Sequence, residues 1–304
     1  MVQLKSVPKP AATEVAGSQR PRPEPDPVHS RMVLAGSPKA LTGMGVSGGR
    51  LVAGKQQRPL SENRGLETVI GVDERTQILE TDKAPWRMVC ALDIEAPWGG
   101  FVGSAWFAGP RTLITAGHCV FDRSQMGGWA TKITVTPGRS GGTTPFGSFV
   151  VTRFSTVDQW TDSQNPDYDI SAIHLDEAYG DELGWFAIGA LTDTELQDQL
   201  VNVSGYPFER GGGTQQWWAR NRIRAVEPRR IFYDVDTSGG QSGGPTYMIE
   251  ANGTSAAPLV VGIHAYGTGG TPNSIPLLVN SAPRITPEVV EQIGRWIEQD
   301  SGSH

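Results

Sequence analysis

The sequence predicts an all-β fold of the barrel or sandwich type. Three observations carry this: short β-type runs recur along residues 70–285, turn signals separate them, and helical periodicity between them is scarce. The runs are WRMVCALDI, FVGSAWF, TLITAGHCV, KITVTPG, FVVTRF, DISAIHL, LVNVSGYP, TYMI and PLVVGIHAYG. Each has the length of an ordinary strand. The first two flank Pro97-Trp98-Gly99-Gly100, a turn that makes them a hairpin. A single helix is expected at the end: Thr286 is the N-cap, Pro287 fits the first helical position, and Val289, Ile293, Trp296 and Ile297 form one apolar face against the second half of the fold.

The 304 residues are 38% hydrophobic, enough to fill a sizeable core. No apolar run approaches the roughly 18 residues of a membrane helix, and MVQLKSVPKP at the start lacks the apolar stretch of a secretory signal. Charge is unevenly divided. Residues 1–67 hold 10 Lys+Arg and 5 Asp+Glu, a net +5, and the remainder holds 16 and 27, a net −11. An acidic body repels phosphate, so nucleic acid is not an expected partner. Residues 1–67 are rich in Pro, Gly, Ser and Arg (QRPRPEPDP, LTGMGVSGGR), with MVLAG and LVAG as the only apolar islands. This composition predicts a largely disordered segment, either a plain tail or a pro-segment whose positive charge complements an acidic domain at 68–304.

Chemistry concentrates in three strings. In Ser238-Gly239-Gly240-Gln241-Ser242-Gly243-Gly244-Pro245, glycines on both sides of one serine allow a tight turn that brings main-chain N–H groups to a substrate carbonyl. Alone, the string also fits a flexible Gly/Ser turn. Leu113-Ile114-Thr115-Ala116-Gly117-His118-Cys119 is an apolar strand ending in a small-residue turn that presents a histidine. Of the five histidines, His29 and His304 lie near the ends and His174 alternates within a strand, which leaves His118 and His264. Asp169 stands at the mouth of the strand Asp169-Ile170-Ser171-Ala172-Ile173, where it could orient an imidazole, with Asp167 as its rival.

TAGHC, YDISAIHL and GGQSGGP, in the order His, Asp, Ser, closely resemble the chymotrypsin-like serine proteases over residues 68–304. The resemblance implies two six-stranded antiparallel β-barrels with a C-terminal helix, the barrels dividing near residues 68–185 and 186–304. It also implies His118, Asp169 and Ser242 as a catalytic triad and the N–H groups of Gly240 and Ser242 as an oxyanion hole. Polypeptides are the implied substrates, for a secreted, monomeric enzyme needing no cofactor and no metal. Ser242 also fits the G-x-S-x-G elbow of α/β-hydrolase lipases and esterases, but there the acid and histidine follow the serine, and here Pro245 and a β-like TYMI follow. An inactive binding module on the same fold is the remaining alternative.

Relatives tie the residue after the histidine to a neighbouring strand through a disulfide. Cys119 holds that position, the partner expected near Phe101 or Val102 is missing, and Cys90 one strand earlier becomes the expected partner.

Within the superfamily, Thr68-Val69-Ile70-Gly71-Val72-Asp73-Glu74-Arg75-Thr76, Asp236-Thr237-Ser238 and Gly262-Ile263-His264-Ala265-Tyr266-Gly267 resemble the bacterial glutamyl endopeptidases, the V8-like group. Gln241 stands where trypsin-like enzymes keep the aspartate that pairs with a new N-terminal ammonium. In the glutamyl group that amine instead helps to form the primary pocket, here with Thr68, Thr237 and His264 as a cationic receptor for a Glu side chain. Asp236 falls where trypsin keeps its pocket carboxylate, and alone predicts cleavage after Lys or Arg. The bond Glu67-Thr68 is then the expected processing site, with the pro-segment as the enzyme's own first partner.

Overall fold

The computed structural model describes residues 3–9, 31–37, 57–59, 68–252, 255–268 and 278–302. His29, the LVAG island, Glu67 and His304 lie outside them.

Among the described residues twenty strands and four α-helices follow one another. The N-terminal segment supplies β1 (Ser6–Pro8), β2 (Met32–Leu34) and β3 (Gln57–Pro59); β4 (Thr76–Gln77) opens the main body. Next come β5 (Val89–Ala96), β6 (Gly99–Phe107), β7 (Thr112–Thr115), β8 (Phe121–Asp122), β9 (Gly128–Trp129), β10 (Lys132–Pro137), β11 (Phe149–Val151) and β12 (Phe154–Val157). Helix α1 (Asp158–Ser163), β13 (Ser171–His174), α2 (Gly180–Leu183), β14 (Ala187–Ala190) and α3 (Asp193–Leu196) lead into the second half. That half holds β15 (Leu200–Gly205), β16 (Trp217–Val226), β17 (Arg230–Tyr233), β18 (Pro245–Asn252), β19 (Ser255–Ile263), β20 (Asn280–Pro283) and α4 (Pro287–Ser301).

Two large sheets carry the molecule. The first runs β1-β12-β13-β7-β6-β5-β10-β11, with β3 pairing β6, and the second runs β2-β14-β19-β18-β15-β16-β17-β20, with β4 pairing β16. In the first, only residues 152 and 153 separate β11 from β12, which brings the sheet's two ends together. In the second, Ile285 N–H donates to the Val261 carbonyl at 2.9 Å and Gly262 bridges Arg284, returning the last strand to β19. This is the chymotrypsin-like double-barrel architecture. Each sheet counts nine strands rather than six, because short extra strands at the edges join the barrel strands.

The expected hairpin forms around Pro97 and Trp98, with Ala96 paired to Gly99 at φ +146°, a conformation open to glycine. Apolar positions of the two barrels fill two cores, the first around Trp106, Phe107 and Phe154, the second around Val203, Ile231 and Tyr233. The helix α4 starts where the sequence places it, with Val289 N–H donating to Thr286 Oγ1 at 3.4 Å and Pro287 in the first turn. It packs on both barrels instead of the second alone, touching β7 and β13 as well as β14. A buried carboxylate near its end explains this: Asp300 accepts from Thr112 Oγ1 at 2.6 Å and lies 2.9 Å from His174 Nδ1, both in the first barrel.

The described parts of residues 1–67 lie along the two sheets. Residues 6–8 and 32–34 add antiparallel strands to β12 and β14, and residues 57–59 run parallel to β6. Backbone pairing to open sheet edges supplies the stabilisation that the composition alone lacks.

Candidate active site

The turn Gly117–Cys119 directly after β7 presents His118, which is 1% exposed. Gly117 is required there: a Cβ on it would lie 2.8 Å from Asp169 Oδ1 and 2.9 Å from the Trp160 indole. This close approach lets Asp169, fully buried before β13, bind His118 twice. The backbone N–H of His118 donates to Asp169 Oδ1 at 2.7 Å, and His118 Nδ1 lies 2.7 Å from Asp169 Oδ2. Tyr266 Oη donates to the same Oδ2. Asp167 does not compete. It is half-buried, and its N–H caps a turn on Asn165 Oδ1 at 3.0 Å.

Burial opposes a charge on His118, yet the Asp169 carboxylate outweighs it and holds the imidazole well above its ordinary value. Its other ring nitrogen, Nε2, is buried and makes no hydrogen bond among the described residues. In the neutral ring, with the Nδ1 proton facing Asp169, that atom is the one left to accept a proton.

Ser242 sits in a loop bound to β6. Ser104 N–H donates to the Ser242 carbonyl at 2.8 Å, Ser104 Oγ donates to the Gly240 carbonyl at 2.9 Å, and Gly243 N–H donates to the His264 carbonyl at 2.7 Å. Gly240, at φ +103°, tolerates no side chain, since a Cβ would fall 2.5 Å from the Tyr206 carbonyl oxygen. The loop also rests on a buried cation. Arg75 donates to Ser238 Oγ at 2.9 Å and to Gln241 Oε1 at 3.5 Å, and pairs with Asp73 at 2.9 Å and Glu209 at 2.7 Å. Gln241 Oε1 in turn accepts from Ser238 N–H at 3.0 Å.

The expected pocket residues separate into two groups. Thr68 meets Thr237 and Asn280: Thr237 N–H donates to the Thr68 carbonyl at 3.3 Å, Thr68 N–H donates to Asn280 Oδ1 at 2.9 Å, and Asn280 Nδ2 donates back to the Thr68 carbonyl at 2.7 Å. Thr237 Oγ1 is buried without a hydrogen-bond partner among the described residues. Asp236 is spent elsewhere. Its carboxylate accepts from Ile70 N–H at 2.6 Å and Glu74 N–H at 2.8 Å, clamping the bent segment that follows Thr68.

His264 is fully buried with Nδ1 2.7 Å from Tyr233 Oη. Burial, reinforced by the nearby His118, lowers its value to about 3. The ring is therefore neutral at ordinary pH, not the cation the sequence led us to expect.

Cys90 and Cys119 are both buried free thiols, so the expected disulfide is absent. Cys90 pairs with Ala105 across the β5–β6 ladder, whereas the Cys119 thiol faces position 103, where a Cβ would lie 3.0 Å from its sulfur. That position is glycine. The partner the relatives' pattern requires is missing there, and Cys90 two rungs along does not replace it.

Sequence reasoning missed Asn280, Tyr266, Ser104 and Arg75. Asn280 had a usable signal, as the amide that directly follows the apolar run PLLV.

Among the described residues no group of three or more His, Cys, Asp or Glu is placed to hold a metal ion, and no helix is long and apolar enough to cross a membrane.

Comparison with known proteins places this arrangement. Residues 99–253 match the family model described as trypsin-like peptidase domain. A glutamyl endopeptidase of Bacillus licheniformis is 34% identical over 259 residues, covering 85% of this chain and 78% of the relative. A protein of Bacillus subtilis named extracellular metalloprotease is 33% identical over 234 residues, covering 76% of this chain and 70% of its own length. A solved structure of Glu endopeptidase in complex with MPD superposes with a TM-score of 0.63 at 25% identity, covering 76% of this chain and all of that one. The chain thus belongs to the trypsin-like peptidase family, in its chymotrypsin-like, V8-like branch, and is a serine endopeptidase.

Proposed function

We propose that the enzyme cleaves peptide bonds after glutamate through an acyl-enzyme, with Ser242 as nucleophile, His118 as base and then acid, and Asp169 as the orienting carboxylate. The observation that carries the catalytic part is Asp169 bound to both the N–H and the ring of His118, beside a glycine-framed serine loop. Ser242 Oγ attacks the scissile carbonyl and its proton passes to His118 Nε2. The resulting imidazolium is stabilised by Asp169. The N–H groups of Gly240 and Ser242 hold the oxyanion. His118 then gives the proton to the leaving amine, and a water, deprotonated by His118, releases the acid half.

The glutamate preference rests on the Thr68 corner. Cleavage of Glu67-Thr68 converts the Thr68 N–H, already at 2.9 Å from Asn280 Oδ1, into an ammonium beside Thr237. A Glu carboxylate would accept from that ammonium and from the uncommitted Thr237 Oγ1. In the tautomer that accepts from Tyr233 Oη at Nδ1, neutral His264 would carry its proton on Nε2 and add a donor without adding charge. Asp236 gives no support to a Lys/Arg pocket, because both its oxygens serve backbone N–H groups. The name of the Bacillus subtilis relative and the pro-segment layout support secretion as a precursor.

Mass spectrometry of a digested protein mixture tests the bond preference, and Ser242→Ala tests the nucleophile. Loss of a triad member typically costs on the order of a million-fold in turnover. Retention of a hundredth of wild-type turnover would refute the assignment, and a majority of cuts after Lys or Arg would refute the pocket.

A further inference from the structure

We propose that the groove between β12 and α4 is a binding site for an extended peptide, and that residues 4–9 keep it occupied as a noncovalent partner once the chain is cut ahead of Thr68. The identity of that cut rests on the processing reading above; the groove does not.

The groove reads its occupant in three ways. One side is the edge of β12, where Ser6, Val7 and Pro8 pair antiparallel with Val157, Thr156 and Ser155. Lys9 N–H donates to the Phe154 carbonyl at 2.9 Å and Asp158 N–H donates to the Lys5 carbonyl at 3.0 Å, extending the ladder beyond both ends of β1. The other side is α4. Arg295 Nη2 donates to the Leu4 carbonyl at 3.0 Å and the Trp296 indole N–H donates to Ser6 Oγ at 2.7 Å. The third element is apolar: Leu4 is 2% exposed and belongs to the first barrel's core cluster. A ladder with a side-chain pocket at one end is the physics by which open sheet edges capture extended peptides.

A second attachment makes release harder. Residues 32–34 pair with β14, Ser37 N–H donates to the Trp185 carbonyl at 3.1 Å, and the Trp185 indole donates to the Ala35 carbonyl at 3.3 Å. One cut between residue 59 and Thr68 therefore leaves a fragment held at three separate places on the body, residues 57–59 beside β6 being the third. Each attachment raises the effective concentration of the others. Cutting and leaving become distinct events, and the body keeps both sheet edges covered after the cut.

The test uses the full chain with Ser242→Ala and the recognition sequence of an unrelated, sequence-specific protease in place of residues 61–66. After cutting, gel filtration and native mass spectrometry at micromolar concentration are expected to show both pieces as a 1:1 complex. Amides of residues 154–157 should stay protected from hydrogen exchange. Adding Leu4→Asp should weaken retention about tenfold or more, as expected for losing one buried leucine. Should that variant fail to fold before cutting, an excess of synthetic peptide spanning residues 3–9 replaces it, and is expected to chase the labelled fragment from the groove. Separation of the pieces on cutting, with loss of protection at 154–157, overturns the proposal. N-terminal sequencing of the incubated wild-type chain separately reads the natural cut: a start other than Thr68 sinks the processing reading and leaves the groove result standing.

Discussion

If the charge that receives a glutamate side chain is the Thr68 ammonium, the preference for Glu over Gln must titrate with an amine and not with an imidazole. The perturbation is pH, applied to the processed enzyme. An ammonium–carboxylate hydrogen bond contributes about 1.5–3 kcal/mol, or roughly ten- to a hundredfold in the ratio of kcat/KM for matched Glu and Gln peptides. An α-amine ordinarily titrates near 7.7–8.0. Here Asn280 Oδ1, 2.9 Å from the Thr68 nitrogen, accepts from the charged form, and the Asp236 carboxylate clamped to Ile70 favours it as well. Both push the midpoint upward. His264, lowered to about 3 by burial and by His118, stays neutral throughout and contributes no step. The ratio should accordingly be flat from about pH 5.5 to 7.5 and fall at least about tenfold above the ordinary α-amine range. Steady-state kinetics with paired chromogenic peptides reads it, and because only the ratio is used, titration of His118 cancels. A ratio constant to high pH, or one that falls already through the ordinary imidazole range, would refute the ammonium model.

Three further outcomes are expected. Tyr266→Phe removes a hydroxyl that donates to Asp169 Oδ2; the carboxylate then holds the His118 proton more tightly, so kcat should drop about tenfold for a lost charge-assisted bond and the acid limb of the pH–rate profile should move to higher pH. An unmoved limb would reduce Tyr266 to a packing residue. Asp236→Asn should lower stability by about 1–3 kcal/mol, because two backbone donors lose their charged acceptor, and should leave the Glu preference in digests unchanged; selective loss of cuts after Lys or Arg would restore Asp236 as the specificity residue. Thiol titration of unreduced protein should find both cysteines only after unfolding, since both are buried; no reactive thiol in the unfolded, unreduced chain would contradict the free pair.

What was legible in the sequence was whatever short strings constrain locally. Gly117 ahead of His118 and Gly240 ahead of Ser242 mark places where the backbone must pass within contact of another group, and the structure brings those strings together. Less legible were partners that meet across long separations. Asn280 lies 212 residues from Thr68, and Tyr266 lies 97 from Asp169, so no local spacing ties them. Asp236 shows a different failure: its position near the serine was readable, but the direction of its carboxylate was not. The cysteines depended on which residue faces Cys119, and a one-position change at Gly103 was enough to leave both unpaired. Strands of three residues, such as Ser6–Pro8, carry no periodicity to detect.

The buried guanidinium of Arg75 has a bearing on how such a precursor starts. Its contacts with Ser238 and Gln241 brace the nucleophile loop from within the chain, while Thr68 is still an ordinary peptide residue. The loop therefore needs no new terminus to take shape; under the proposed processing only the pocket's charge would await the cut. If the chain is processed at Glu67-Thr68 as proposed, the uncut form should work slowly and with little side-chain discrimination, and its first product should be a copy that works faster on the same bond. Conversion then accelerates as it proceeds: a long lag, shortened by a trace of finished enzyme and lengthened by dilution, followed by a steep rise.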